Sequence, residues 1–215
     1  MKIICLGDSL TAGYRLPADA CWVQILNRET PHTWINAGVS GDTSTGLLVR
    51  LQTEVLPQHP DMVLLLGGDN DIMLTGSEDL AKTSLMAMLH QCAAQGVKPV
   101  VGIPFPIRSI PTRWQAVCDT ENARRASLRY IQWLRTLADA ISLRKVDFAA
   151  AFAAAPSPEG LYQEDGMHPS AAGSRLMALV AVSNAGAYAC TLSVQRFSSH
   201  RPPAELLVDG DGNVL

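Results

Sequence analysis

Lys2-Ile3-Ile4-Cys5-Leu6-Gly7-Asp8-Ser9-Leu10-Thr11 is the stretch whose reading decides the fold. Four apolar residues in succession, two of them isoleucine, have the pattern of a short strand buried on both faces. Gly7 ends that strand, since glycine takes the backbone angles of a sharp turn that other residues resist. Ser9 then stands two residues beyond the strand, at a sheet's carboxyl edge, where open α/β sheets bind ligands. Gly-Asp-Ser equally suits an ordinary turn that caps the next helix. Three later stretches bear on the choice.

Outward from this segment, strand-like and helix-like patterns alternate. Residues 17–26 predict a helix with Trp22, Ile25 and Leu26 on one face, and 33–37 a second strand closed by Gly38. Residues 43–56 predict a helix with Leu47, Leu48, Leu51 and Val55 aligned and Pro57 as its stop. The most apolar run, 61–66, reads as a central strand. A helix over 77–95, carrying Leu80, Leu85, Met88 and Leu89, meets Gly96, and 99–103 is a fourth strand. Residues 104–118 hold Pro104, Pro106 and Pro111 with Phe105 and Trp114, a stiff loop that either walls a pocket or simply packs. A helix over 119–140, a strand over 145–148 and an alanine-rich helix over 170–187 follow. Such alternation implies a parallel sheet covered on both faces: a three-layer α/β/α doubly wound sandwich of five strands, flavodoxin-like in order.

The chain of 215 residues is long enough for one such domain, expected over 1–188, with 189–215 as a C-terminal extension. Within that tail, 205–208, Asp209-Gly210 and 213–215 read as a hairpin. Asp209, Asp211 and Asn213 have the opening spacing of a calcium loop but lack its sixth-position glycine and closing glutamate. No metal is expected there. A net charge of -3, with no basic run longer than a pair such as Arg124-Arg125, argues against nucleic acid as a partner. Five cysteines form no C-x-x-C pair, no basic-then-apolar leader precedes the first strand, and no apolar run reaches membrane-spanning length. The cytoplasm is the expected compartment.

The three later stretches fall at strand ends or before the last helix. Gly38-Val39-Ser40-Gly41-Asp42 leaves the Gly41 N–H free to face a ligand, though it also suits a tight turn. Gly68-Asp69-Asn70-Asp71 offers an Asn side-chain amide to the same crevice, or an Asx turn. In Asp165-Gly166-Met167-His168-Pro169, a carboxylate three residues before a histidine can hold its Nδ1 and aim Nε2 outward. Pro169 suits a first helical position and so places His168 at the start of the last helix. A neutral serine needs a base to take its proton, and a developing oxyanion needs preorganised donors. Ser9, His168 and Asp165, with the Ser9 N–H, Gly41 N–H and Asn70 amide, complete a set for acyl transfer.

These four blocks, in this order, resemble the SGNH or GDSL-type hydrolase family over about residues 2–185. The resemblance implies Ser9 as nucleophile, His168 as base, Asp165 as its orienter, Ser9, Gly41 and Asn70 as oxyanion donors, a small-molecule ester as substrate, and no cofactor. Gly13-Tyr14-Arg15 and Trp22 resemble the bacterial acyl-thioesterase/lysophospholipase branch. Asp69 departs from the small neutral residue common before the asparagine and brings an extra carboxylate to the site. Two other classes stand as alternatives: a metal-dependent phosphoesterase using Asp8, Asp69, Asn70 and His168, and a non-catalytic binding module on the same fold. The α/β-hydrolase class is excluded, since no G-x-S-x-G elbow surrounds Ser9.

Overall fold

Five parallel strands carry the architecture in the computed structural model, which describes residues 1–116 and 118–185. They are β1 (Lys2–Gly7), β2 (Thr33–Gly38), β3 (Met62–Leu66), β4 (Lys98–Ile103) and β5 (Arg144–Asp147), in the spatial order β2-β1-β3-β4-β5. The helices are α1 (Ser9–Ala12), α2 (Trp22–Glu29), α3 (Ser44–Arg50), α4 (Asp69–Thr75), α5 (Asp79–Ala94), α6 (Thr112–Gln115), α7 (Thr120–Ala140), α8 (Phe148–Ala154) and α9 (Ala171–Ala185). This is the doubly wound sandwich that the alternating pattern predicts.

Successive strand side chains point to opposite faces, and both faces are covered. Ile3 and Cys5 pack in the layer of α2, α8 and α9, with Trp22, Leu26, Phe148 and Met177. Ile4 and Leu6 pack in the layer of α3, α5 and α7, with Leu47, Leu85, Ile131 and Leu134. All four are fully buried. Each large aliphatic side chain so placed contributes about 1.5–3 kcal/mol. Trp22 also pins α1, because its indole N–H donates to the Leu10 carbonyl at 2.9 Å.

Several local expectations are corrected. The fifth strand stops at Asp147, and Phe148 opens the unanticipated α8, capped by the Asp147 carboxylate, which accepts from the Ala150 N–H at 2.8 Å. The helix expected over 43–56 is α3 followed by one π turn, Leu51–Val55, in which the Leu56 N–H reaches back to the Leu51 carbonyl. Leu47, Leu51 and Val55 are buried nonetheless. Leu80 is exposed, and Ala81, Leu85, Met88, Leu89 and Cys92 make the buried face of α5. The 104–118 loop contains the short α6. Pro169 lies outside α9: it bridges to Tyr162, while Ser170 Oγ accepts from the Gly173 N–H at 3.1 Å at the helix start. The extension over 189–215, with its hairpin and Asp209, Asp211 and Asn213, lies outside the described residues. Among the described residues no helix is long and apolar enough to cross a membrane.

Gly38 ends β2 against the backbone of α1. A Cβ on it would lie 2.2 Å from the Ala12 nitrogen and 2.7 Å from its Cα. Backbone cannot yield as a side-chain tip can, so Gly38→Ala is expected to lower stability by about 1–3 kcal/mol in urea unfolding. Gly160→Ala, where a Cβ meets nothing within 4 Å, is the control and should leave the midpoint unchanged. Equal midpoints for the two variants would contradict this packing.

Candidate active site

The chain winds outward from β1 to β2 and returns to β3 on the other side of β1. That reversal leaves a crevice at the strands' carboxyl ends, where loops diverge to opposite faces. A cleft of about 250 Å³ opens there, lined by Ser9, Gly41, Asn70, Asp165 and His168 among others. All five residues singled out in the sequence therefore reach one site.

Ser9 is the first residue of α1, and Asp8 caps that helix, its Oδ1 accepting from the Leu10 N–H at 2.9 Å. The capping turn and the functional placement are the same structure. His168 Nε2 lies 2.9 Å from Ser9 Oγ, and its Nδ1 lies 2.7 Å from Asp165 Oδ2. An ionised carboxylate can only accept, so Nδ1 carries the proton and Nε2 is left to accept from the serine hydroxyl. Asp165 Oδ1 also accepts from the N–H groups of Met167 and His168, both at 3.0 Å. Burial works to raise the Asp165 carboxyl, but those two N–H groups and the imidazole outweigh it and hold it below the ordinary carboxylate range.

Opposite the serine, Gly41 takes φ +84° in open space, so the backbone angle and not crowding calls for glycine there. Asn70 sits in the first turn of α4. Its Nδ2 donates to the Asp42 carbonyl at 2.8 Å, which fixes the amide and leaves its second N–H for the cleft. Asp42 is in turn held by Arg50, which also donates to the Ala37 and Gly7 carbonyls at 2.7 and 3.0 Å. Asp71 accepts from both the N–H and the hydroxyl of Ser44 at 2.8 Å, tying α4 to α3.

Among the described residues no three His, Cys, Asp or Glu side chains converge to hold a metal ion.

The chain matches the GDSL-like Lipase/Acylhydrolase family over residues 5–176. It belongs to that family. It is 34% identical over 101 residues to the thioesterase 1/protease 1/lysophospholipase L1 of Escherichia coli, covering 46% of this chain and 49% of that protein. The matched stretch thus spans about half the length of that relative. To the esterase TesA of Pseudomonas aeruginosa it is 26% identical over 178 residues, covering 79% of this chain and 80% of that one. The crystal structure of a G-D-S-L family lipolytic protein from Veillonella parvula superposes with a TM-score of 0.72 at 23% identity, covering 84% of this chain and 95% of that chain. That likeness shows the shared fold.

Other parts of this GDSL-family site were not legible beforehand. The Tyr14 ring stacks obliquely on the His168 imidazole, with centroids 4.4 Å apart. Gln163 donates to the Tyr14 and Pro169 carbonyls, and Ser109 Oγ to the Asp165 carbonyl at 2.8 Å. Ile107, Pro111 and Trp114 line the cleft while Phe105 and Ile110 are buried, so the 104–118 loop both walls and packs. No spacing rule marks Arg50 or Gln163, because the Gly7, Ala37 and Tyr14 carbonyls that they bond come near only in the folded chain.

Two of the carboxyl residues that line the cleft, Asp8 and Asp69, are buried. Burial, with Asp42 and Asp71 adding to it against the Leu10 N–H, pushes Asp8 up to about 7. Burial, with Asp8 and Asp71 adding to it, pushes Asp69 up to about 8. An unfolded aspartate releases its proton near about 3.9. The folded protein therefore holds protons that the unfolded chain has lost, and these groups reduce stability as pH rises from about 4 to 8. Asp69→Asn removes one such group. Its urea midpoint relative to wild type should climb steadily between pH 4 and pH 8, and a constant difference would contradict the burial effect.

Proposed function

We propose that this protein is a serine hydrolase that cleaves carboxylic esters of small or lipid-like molecules through an acyl-enzyme. The observation that carries the reading is the continuous path from Ser9 Oγ through the His168 imidazole to Asp165, at 2.9 and 2.7 Å. Ser9 Oγ attacks the ester carbonyl carbon while His168 Nε2 takes the hydroxyl proton. The carbonyl oxygen becomes an oxyanion, received by the Ser9 N–H, the Gly41 N–H and the free N–H of the Asn70 amide. As the intermediate collapses, His168 returns the proton to the departing alcohol or thiol. Water, deprotonated by the same imidazole, then attacks the acyl carbon, and the imidazolium returns that proton to Ser9 Oγ as the acid departs. Asp165 stays ionised throughout and stabilises the transient imidazolium.

Met73, Ile107, Pro111, Trp114 and Met167 line the cleft and suit an apolar acyl chain. The names of the relatives extend the proposal to thioesters and lysophospholipids, and carbohydrate O-acetyl esters fall within the same chemistry. Residues 1–188 form the catalytic unit in this reading, in keeping with the family match, and 189–215 an extension. The four described cysteines are free and buried, which supports a reducing compartment such as the cytoplasm.

Turnover of p-nitrophenyl esters of graded chain length, with acyl-CoA alongside, tests the proposal. Ser9→Ala should lower kcat by on the order of 10^4-fold or more, and Asp165→Asn should be severely impaired because an amide can hold the wrong imidazole tautomer. Asn70→Ala should lower kcat by about 10^2- to 10^3-fold with little change in KM. Ser9→Ala activity within tenfold of wild type would sink the triad, and an Asn70→Ala defect confined to KM would sink the oxyanion role.

A further inference from the structure

Tyr14 touches both halves of the Ser9–His168 pair. Its N–H donates to the Ser9 carbonyl at 3.2 Å in the turn after α1, which ties its backbone to the nucleophile. Its ring lies against the His168 imidazole, with centroids 4.4 Å apart and planes inclined by 38°. Its carbonyl accepts from the Gln163 side-chain amide at 2.8 Å. That amide also donates to the Pro169 carbonyl at 2.9 Å, and the Gln163 N–H donates to the His168 carbonyl at 2.8 Å. One glutamine thus fastens the turn that carries Tyr14 to the loop that carries His168.

Asp165 alone leaves the orientation of the imidazole incomplete. It holds the Nδ1 end of the ring by one hydrogen bond of 2.7 Å, about which the ring can still tilt. The second ring bond, from Nε2 to Ser9 Oγ at 2.9 Å, is given up once Oγ carries the acyl group. Nε2 must then keep its aim while water enters, and a flat group packed on the ring face limits the tilt. Catalytic groups have to be held within about 0.5 Å and 10–20° of productive geometry, since small misplacements cost large factors in rate.

We propose that Tyr14 is a positioning residue: its ring, seated by Gln163, holds the plane of the His168 imidazole so that Nε2 stays aimed first at Ser9 Oγ and then at the attacking water. The inference rests on the serine-hydrolase reading. Tyr14 also lines the cleft, so the test separates this role from that of a wall for the acyl chain.

The test measures kcat and KM separately on p-nitrophenyl acetate and p-nitrophenyl octanoate, with folding checked by circular dichroism. Tyr14→Leu should lower kcat by about tenfold or more on both esters with no rise in KM. Tyr14→Phe, which keeps the flat ring, should restore most of that loss. Gln163→Leu should lower kcat in the same way, and adding Tyr14→Leu to it should cost little more, because both act through one contact. Tyr14→Met replaces the leucine variant should that fail to fold, and the Tyr14 series decides by itself should Gln163→Leu fail. A defect confined to the octanoate ester or to KM would make Tyr14 a substrate wall and overturn the proposal. So would unimpaired turnover in Tyr14→Leu or Gln163→Leu, a Tyr14→Phe variant as poor as Tyr14→Leu, or losses that multiply in the double variant. Ser9→Ala is assayed alongside. Hydrolysis persisting there would overturn the serine-hydrolase reading, whereas an inactive Ser9→Ala beside an unimpaired Tyr14→Leu would overturn this inference alone.

Discussion

Gly7 is paired with Gly38 on one side and Leu66 on the other, so three parallel strands end at one level of the sheet. That register is the constraint on which the site depends. Ser9, Gly41 and Asn70 come from segments far apart in sequence, yet each leaves its strand within a few residues of this level. Both faces of β1 are buried, and a slip of one residue would exchange Ile3 and Cys5 with Ile4 and Leu6 between the two layers. Core packing thereby sets the spacing of polar groups at the strand ends. The close approach of Gly38 to the α1 backbone transmits the same register to Ser9.

Polar contacts then fix what packing brings near. Arg50 binds the Gly7 and Ala37 carbonyls together with Asp42, so one guanidinium joins the ends of β1 and β2 to the loop that carries Gly41. The Asp42 carbonyl holds Asn70, and Asp71 holds Ser44. On the other side of the cleft, Asp165 gathers His168 through two backbone N–H groups and the ring itself. Donor groups in such a network are oriented before any substrate arrives, which is what electrostatic stabilisation of a transition state requires. The cost is a set of buried carboxyls, of which Asp8 and Asp69 hold their protons well above the ordinary aspartate range.

Much of this was legible in the chain, and the departures have local causes. The apolar runs of β1, β3 and β4, separated by helical periods, marked the centre of the sheet, because β-strands buried on both faces have a strong pattern. In β5, Arg144-Lys145-Val146-Asp147, only Val146 is buried, and Phe148 stands two residues beyond it in strand period, so the sequence pattern carries the strand into α8. The Gly-Asp-Asn-Asp motif reads as a turn, although Asp69 and Asp71 suit the first turn of a helix just as well, and α4 starts there. Pro169 fits a first helical position by propensity, but Ser170 is the better cap and α9 begins after it. Motif spacing brought the triad candidates into one region. The Arg50 clamp and the Tyr14 stack on His168 depend on tertiary neighbours, which no one-dimensional spacing encodes.

The central claim is that the Ser9 hydroxyl, activated by His168, is the nucleophile. Covalent trapping tests it without any assumption about the natural substrate. The wild-type protein should react with an alkyl fluorophosphonate to give one adduct per chain, and fragmentation of the tryptic peptide Ile3–Arg15 should place it on Ser9. His168→Ala should slow that reaction by orders of magnitude while remaining folded by circular dichroism. An adduct on another residue, or labelling of Ser9 at an undiminished rate in His168→Ala, would contradict the account.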